Sequence, residues 1–87
     1  MPEWPNWWSW ELELTPHVLK RMIDRQFSET DLRDMIESTT GIRMAEESGR
    51  WIAETKFEGR DWNVVLEPID DERLLLVITA YRVERTD

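Results

Sequence analysis

From Arg50 onward the apolar residues of this chain recur at every second position, whereas between Pro16 and Gly41 they recur at intervals of three and four. Alternate residues of a strand share a face and a helix repeats about every 3.6 residues, so a single switch of period orders the chain as helices first and strands second. Thr15 and Pro16 start the first helix as N-cap and first helical residue. Val18, Leu19, Met22, Ile23 and Phe27 form its apolar stripe, centred between Met22 and Ile23, and it ends near Gln26. Ser28-Glu29-Thr30-Asp31 has the spacing of a capping box, with aspartate where glutamate or glutamine is usual. Leu32, Met35 and Ile36 bury that second helix, and Gly41 is its expected stop.

Trp51, Ala53, Thr55 and Phe57 then alternate with Ile52, Glu54 and Lys56. Glu58-Gly59-Arg60-Asp61 is a hairpin connection into a partner strand in which Trp62, Val64 and Leu66 alternate with Asn63, Val65 and Glu67. Pro68-Ile69-Asp70-Asp71 closes it. A last strand runs from Arg73 to Val83, and its unbroken Leu74–Ile78 segment reads as central and covered on both faces. Ile42 to Met44 fits a further short strand, while Leu12 and Leu14 fit either a short edge strand or an extended lead-in. The fold class expected is α+β, with two N-terminal helices packed on a three- to four-stranded antiparallel meander.

With 87 residues the chain makes one domain, divided on composition into a Trp-rich extension over residues 1–15 and a folded domain over residues 16–87. The extension holds four of the six tryptophans, at positions 4, 7, 8 and 10. Tryptophan buries a large area and is enriched at contacts, so these residues read as a lid on the core or as the seam of a homodimer, with stacking on a ligand as the lesser alternative. Membrane anchoring is disfavoured because the neighbours are Glu3, Glu11 and Glu13 rather than lysine or arginine. The chain has no cysteine, no recognisable export signal and no long apolar run, which together imply a cytoplasmic location.

Formal net charge is −8, which opposes nonspecific attraction to a polyanion. The exception is local. Over Pro16 to Gln26, Lys20, Arg21 and Arg25 oppose only Asp24, and His17, Arg21 and Arg25 follow one another at four-residue spacing. On a helix that spacing drifts about 40° per step, so an imidazole and two guanidiniums form one stripe. Guanidiniums suit phosphate oxygens and histidine suits proton transfer near neutral pH. The same residues also fit ordinary surface pairing, Arg21 with Asp24 and Arg25 with Glu29, worth a few tenths of a kcal/mol.

Thr79 and Tyr81 share one face of the last strand and offer two hydroxyls, although both are also favoured strand residues. Phosphate-binding glycine loops, paired metal-binding histidines and a serine triad are all missing. Asp70-Asp71-Glu72 reads as a solvated turn rather than a metal site.

Three segments carry a family resemblance: His17-x-x-x-Arg21-Met22-x-x-Arg25, Ser28-x-x-Asp31-Leu32 and Val77-Ile78-Thr79-Ala80-Tyr81. Together they resemble an uncharacterised bacterial domain family of small proteins related in fold to RelE-type and colicin D ribonuclease toxins. The resemblance implies metal-independent RNA cleavage by 2′-hydroxyl attack, without a cofactor. His17 would be the acid or base, Arg21 and Arg25 would hold the phosphate, and Thr79 or Tyr81 would position it. An RNA substrate and an antitoxin partner follow from the same resemblance. Gln26 stands where similar sequences have glycine. The alternative is a noncatalytic interaction or dimerisation module without activity.

Overall fold

In the computed structural model, which describes residues 5–83, a 3-10 turn at Asn6–Ser9 leads into strand β1 (Glu11–Leu14). Helices α1 (Pro16–Arg25) and α2 (Glu29–Glu37) follow, then strands β2 (Gly41–Met44), β3 (Trp51–Phe57), β4 (Arg60–Ile69) and β5 (Leu74–Arg82). The strands form one five-stranded sheet in the order β1-β5-β4-β3-β2. Only β1 runs parallel to its neighbour, pairing Glu11 with Leu74 through Leu14 with Val77.

This corrects the expectation of two N-terminal helices on a three- to four-stranded antiparallel meander of the RelE and colicin D kind. A strand precedes the helices, the sheet has five strands, and it is mixed. The physical reason is that the α1–α2 crossover carries the chain from β1 to the far edge, which leaves β5 to fill the gap beside β1. Parallel pairing requires such a long connection, whereas antiparallel neighbours need only a turn.

Both helices cover the sheet face formed by Leu12, Leu14, Ala53, Val64, Leu66, Leu75, Val77 and Ala80. Thr15 fixes where α1 begins. Its hydroxyl oxygen accepts from the Val18 N–H at 3.2 Å as the helix cap, and its O–H lies 2.8 Å from the Val77 carbonyl and 2.9 Å from that of Ile78. At the other end Gln26 is left-handed (φ 59°, ψ 46°), with its N–H donating to Ile23 O at 3.3 Å and the Phe27 N–H to Met22 O at 3.0 Å. This is a Schellman motif, and it explains why glycine suits the position.

The turn sends Phe27 into an edge-on cluster with Trp62 (5.5 Å, 73°), which also meets Phe57 (6.1 Å, 85°). Each such ring pair adds about 0.5–1.5 kcal/mol beyond area burial. With Thr15 and Phe27 holding its two ends, α1 buries Val18 and Met22, while Ile23 is 77% exposed and Leu19 44%. The apolar stripe is therefore centred on Val18 and Met22, not between Met22 and Ile23.

The capping box forms as spaced, Ser28 N–H donating to Asp31 Oδ2 at 2.9 Å and Asp31 N–H to Ser28 Oγ at 3.1 Å. Gly41 does not stop α2, which ends at Glu37 with Ser38 as its cap, and instead opens β2. The β3–β4 turn has only two residues, Glu58 (φ 52°) and Gly59 (φ 77°), the left-handed pair of a type I′ hairpin.

Along β4 and β5 the register slips once, because Val65 faces Thr79 while Leu66 faces Val77, leaving Ile78 as the extra residue. Beyond this bulge the alternation of β5 is reversed. Leu75, Val77 and Ala80 point to the helices, and Thr79 and Tyr81 to the other side. That other side carries no helix, so Leu74, Leu76 and Ile78 are only half-buried and β5 is covered on one face alone.

Replacing Gln26 by glycine removes the left-handed strain, about 1 kcal/mol, and is expected to raise the melting temperature by about 4–8 °C in circular dichroism. Thr15→Ala, which strips the cap and the β5 anchor, is expected to lower stability by about 1–2 kcal/mol, with Thr15→Ser restoring most of it. An unchanged denaturant midpoint for Thr15→Ala means that α1 is anchored by something else.

Candidate functional site

The aromatic cluster that holds the end of α1 also floors a pocket. Phe57 and Trp62 line it with Arg25 from α1, Arg60 from β4, Arg82 from β5 and Glu58 from the hairpin turn, enclosing about 200 Å³. Each element delivers its arginine for a local reason. Arg25 is the last helical residue, on the wheel beside Val18 and Met22 but past the end of the sheet's cover. Arg60 opens β4 opposite Phe57, and Arg82 pairs with Trp62. Three guanidiniums and one carboxylate line this spot, with Arg82 also held in an interaction of its own, so its positive charge comes chiefly from Arg25 and Arg60. Arg25 and Arg60 make no ion pair among the described residues.

A second concavity, about 380 Å³, lies on the helix-free face beneath the β2–β3 loop. Ile52, Val65 and Ile78 are its apolar part, and Arg43, Arg50, Thr79 and Tyr81 its polar part. Its arginines are already neutralised. Arg43 pairs with Glu54 at 3.6 Å, and Arg50 with Glu67 at 3.2 Å and with Glu47. Tyr81 accepts at its hydroxyl from Asn63 Nδ2 at 3.3 Å. The larger groove is thus the weaker anion site, since a phosphate there must compete with bound carboxylates.

The five residues singled out by sequence do not meet. His17, Arg21 and Arg25 lie on α1, on the helix side of the sheet, whereas Thr79 and Tyr81 lie on the opposite face. His17 is exposed at the start of α1 and Arg25 exposed at its end, about 12 Å apart along the axis. Arg25 is the member of the helical stripe that lines the pocket. Arg60 and Arg82 were missed because neither belongs to a helical stripe. Their signal was the Phe57/Trp62 alternation flanking a two-residue turn, which places residues 57 and 60 opposite one another.

Residues 14–82 match the family model described as a domain of unknown function (DUF4258). The chain belongs to that family. No curated protein and no solved structure matches it. The DUF4258 match starts at the last residue of β1 and ends at the last residue of β5, so it spans both helices, all three arginines of the pocket and the sheet-face groove.

Ahead of it, the tryptophan segment of this DUF4258 chain packs on the same core. Trp7 is 9% exposed, with ring centroids 5.6 Å from Trp51 and 5.9 Å from Trp8, and Trp10 also packs there; Trp4 lies outside the described residues. Asp70, Asp71 and Glu72 are an exposed turn, and among the described residues no three metal-binding side chains converge. No helix among them is long and apolar enough to cross a membrane.

At low ionic strength, inorganic phosphate is expected to raise the melting temperature, by the equivalent of about 1.4 kcal/mol at ten times its Kd. Arg60→Ala should abolish the rise, and Arg43→Ala in the groove should leave it intact. An equal response of the two variants would place the anion elsewhere.

Proposed function

We propose that this DUF4258 chain acts on RNA and is related in activity to the RelE-type and colicin D ribonuclease toxins. The observation that carries the reading is the convergence of Arg25, Arg60 and Arg82 on one aromatic-lined pocket in a chain of net charge −8. Arginine pairs with phosphate through two parallel hydrogen bonds, and aromatic rings beside it suit a nucleobase or ribose. The α1 stripe extends the site. Arg21 and His17 stand one and two turns before Arg25, so a strand held in the pocket and running along the helix meets both.

In this arrangement His17 is the proton-transfer group for a metal-independent cleavage in which the ribose 2′-hydroxyl attacks the adjacent phosphorus and the 5′-oxygen leaves. The arginines stabilise the charge that develops on the phosphate oxygens. Thr79 and Tyr81, across the sheet, take no part in that step.

A second reading rests on the helix-free sheet face, where Ile52, Val65, Leu74, Leu76 and Ile78 are half-buried and uncovered. Such a face fits a protein partner, an antitoxin in the toxin-related case, or an interaction module without catalysis.

Short single-stranded RNA in EDTA separates these readings. Wild type is expected to bind with log Kobs falling against log salt at a slope of about −2, as three phosphate contacts require, and Arg25→Ala at about −1.4. His17→Ala should bind and fail to cleave, and Tyr81→Phe should do both. RNA that stays whole and unbound with wild type at low salt overturns the ribonuclease reading, and a stoichiometric protein complex that survives Arg25→Ala then selects the module.

A further inference from the structure

Trp7 is the tryptophan that closes over the core, whereas Trp8 and Trp10 stay half-buried beside it. Together with Leu12 of β1 they form one wall of a groove of about 300 Å³, and Arg33, Ile36 and Glu37 of α2 form the other. The three α2 residues share a helix face because they stand at i, i+3 and i+4. On that face Arg33 has a carboxylate one turn to either side, and it donates to the earlier one, Glu29, at 3.0 Å. Glu37 makes no ion pair or side-chain hydrogen bond among the described residues. It is also the last residue of α2, whose final turn carries no basic residue. The carbonyl end of a helix is its negative pole, so a carboxylate there is disfavoured and a cation favoured. Indole faces attract cations too, more strongly where water is partly excluded.

A divalent metal ion demands a shell of oxygen ligands, and a primary ammonium presents three donors that each want an acceptor. The groove instead sets one unpaired carboxylate beside indole and aliphatic side chains, which suits an ammonium whose hydrogens are replaced by methyl groups. We infer that this groove binds a methylated ammonium group, seated against the indoles of Trp8 and Trp10 with Glu37 as its counter-charge. Its volume stands at the lower end of the roughly 300–1,000 Å³ of sites that enclose a whole small ligand, so a free cation of the size of choline fills it. The groove shares no residue with the arginine pocket. Its tryptophan wall precedes residue 14, where the DUF4258 match begins, so this binding belongs to the extension as much as to the family domain.

A titration of the nitrogen-15-labelled protein with choline chloride, following the indole N–H signals by NMR, tests the assignment. The Trp10 signal, identified by its loss in Trp10→Phe, is expected to shift to saturation. The alcohol 3,3-dimethylbutan-1-ol has the shape of choline without its charge and should bind at least about tenfold more weakly. Glu37→Gln should weaken choline binding by a similar factor, and Arg33→Gln, which removes the competing cation, should strengthen it. Both positions are exposed, and circular dichroism like that of wild type shows that the variants keep the fold. A Trp10 signal that stays fixed overturns the assignment. Equal affinity for choline and the alcohol does so too, as does unchanged affinity in Glu37→Gln. A peptide carrying trimethyl-lysine distinguishes the sources of the group. Binding at least about tenfold tighter than choline supports the ammonium site with a protein side chain as its occupant, and binding no tighter than choline supports the free cation.

Discussion

Both helices are tied to the sheet by threonine hydroxyls that donate into backbone carbonyls, and the placement of everything else follows from those ties. Thr15 caps α1 and joins it to Val77 and Ile78 of β5, while Thr55, on the core face of β3, donates to the Met35 carbonyl near the end of α2. Thr39 donates to the same carbonyl at 3.3 Å. Carbonyls at a helix end or beside a bulge lack a regular partner, and burial makes leaving them unpaired costly. No buried side-chain nitrogen or oxygen among the described residues lacks a partner. Apolar packing alone would let α1 roll about its axis. A directional bond at its start and the left-handed turn at Gln26 fix that rotation, and with it the direction in which Arg25 leaves the helix.

Much of the local structure was legible because its causes are local. Thr15-Pro16 and Ser28-x-x-Asp31 mark helix starts through caps that form within three residues, and the alternation around Glu58-Gly59 aligns β3 with β4 through a two-residue turn. What escaped was non-local. The four-residue β1 carries too few alternations to name a partner, and its parallel register with β5 is set by residues 63 positions away. The unbroken run Leu74–Ile78 conceals the bulge, because five apolar residues look the same whichever way each one points. The helix-free face was hidden for the same reason.

The site was partly legible on the same terms. Arg25 announced itself through helical spacing, but its companions belong to strands, and only the sheet register shows that Arg60 and Arg82 reach the same rings. The bulge at Ile78 separates the chemistry further. By reversing β5 it places the two hydroxyls on the face away from α1, so the chain presents an arginine-lined pocket on one side and a groove whose arginines are ion-paired on the other. Formal charge summed over the chain describes neither.

The parallel pairing of β1 with β5 bears on how this fold is made. During synthesis Glu11–Leu14 emerge long before Leu74–Val77, and β5 is the strand that lies between β1 and β4. β5 supplies the carbonyls that Thr15 bonds and the parallel partner of β1, while β2, β3 and β4 pair with one another through short connections. Insertion of β5 completes the ladder and adds Arg82 to the pocket that Arg25 and Arg60 line. The pocket is complete only once β5 is paired with β4, because Arg82 comes from that strand.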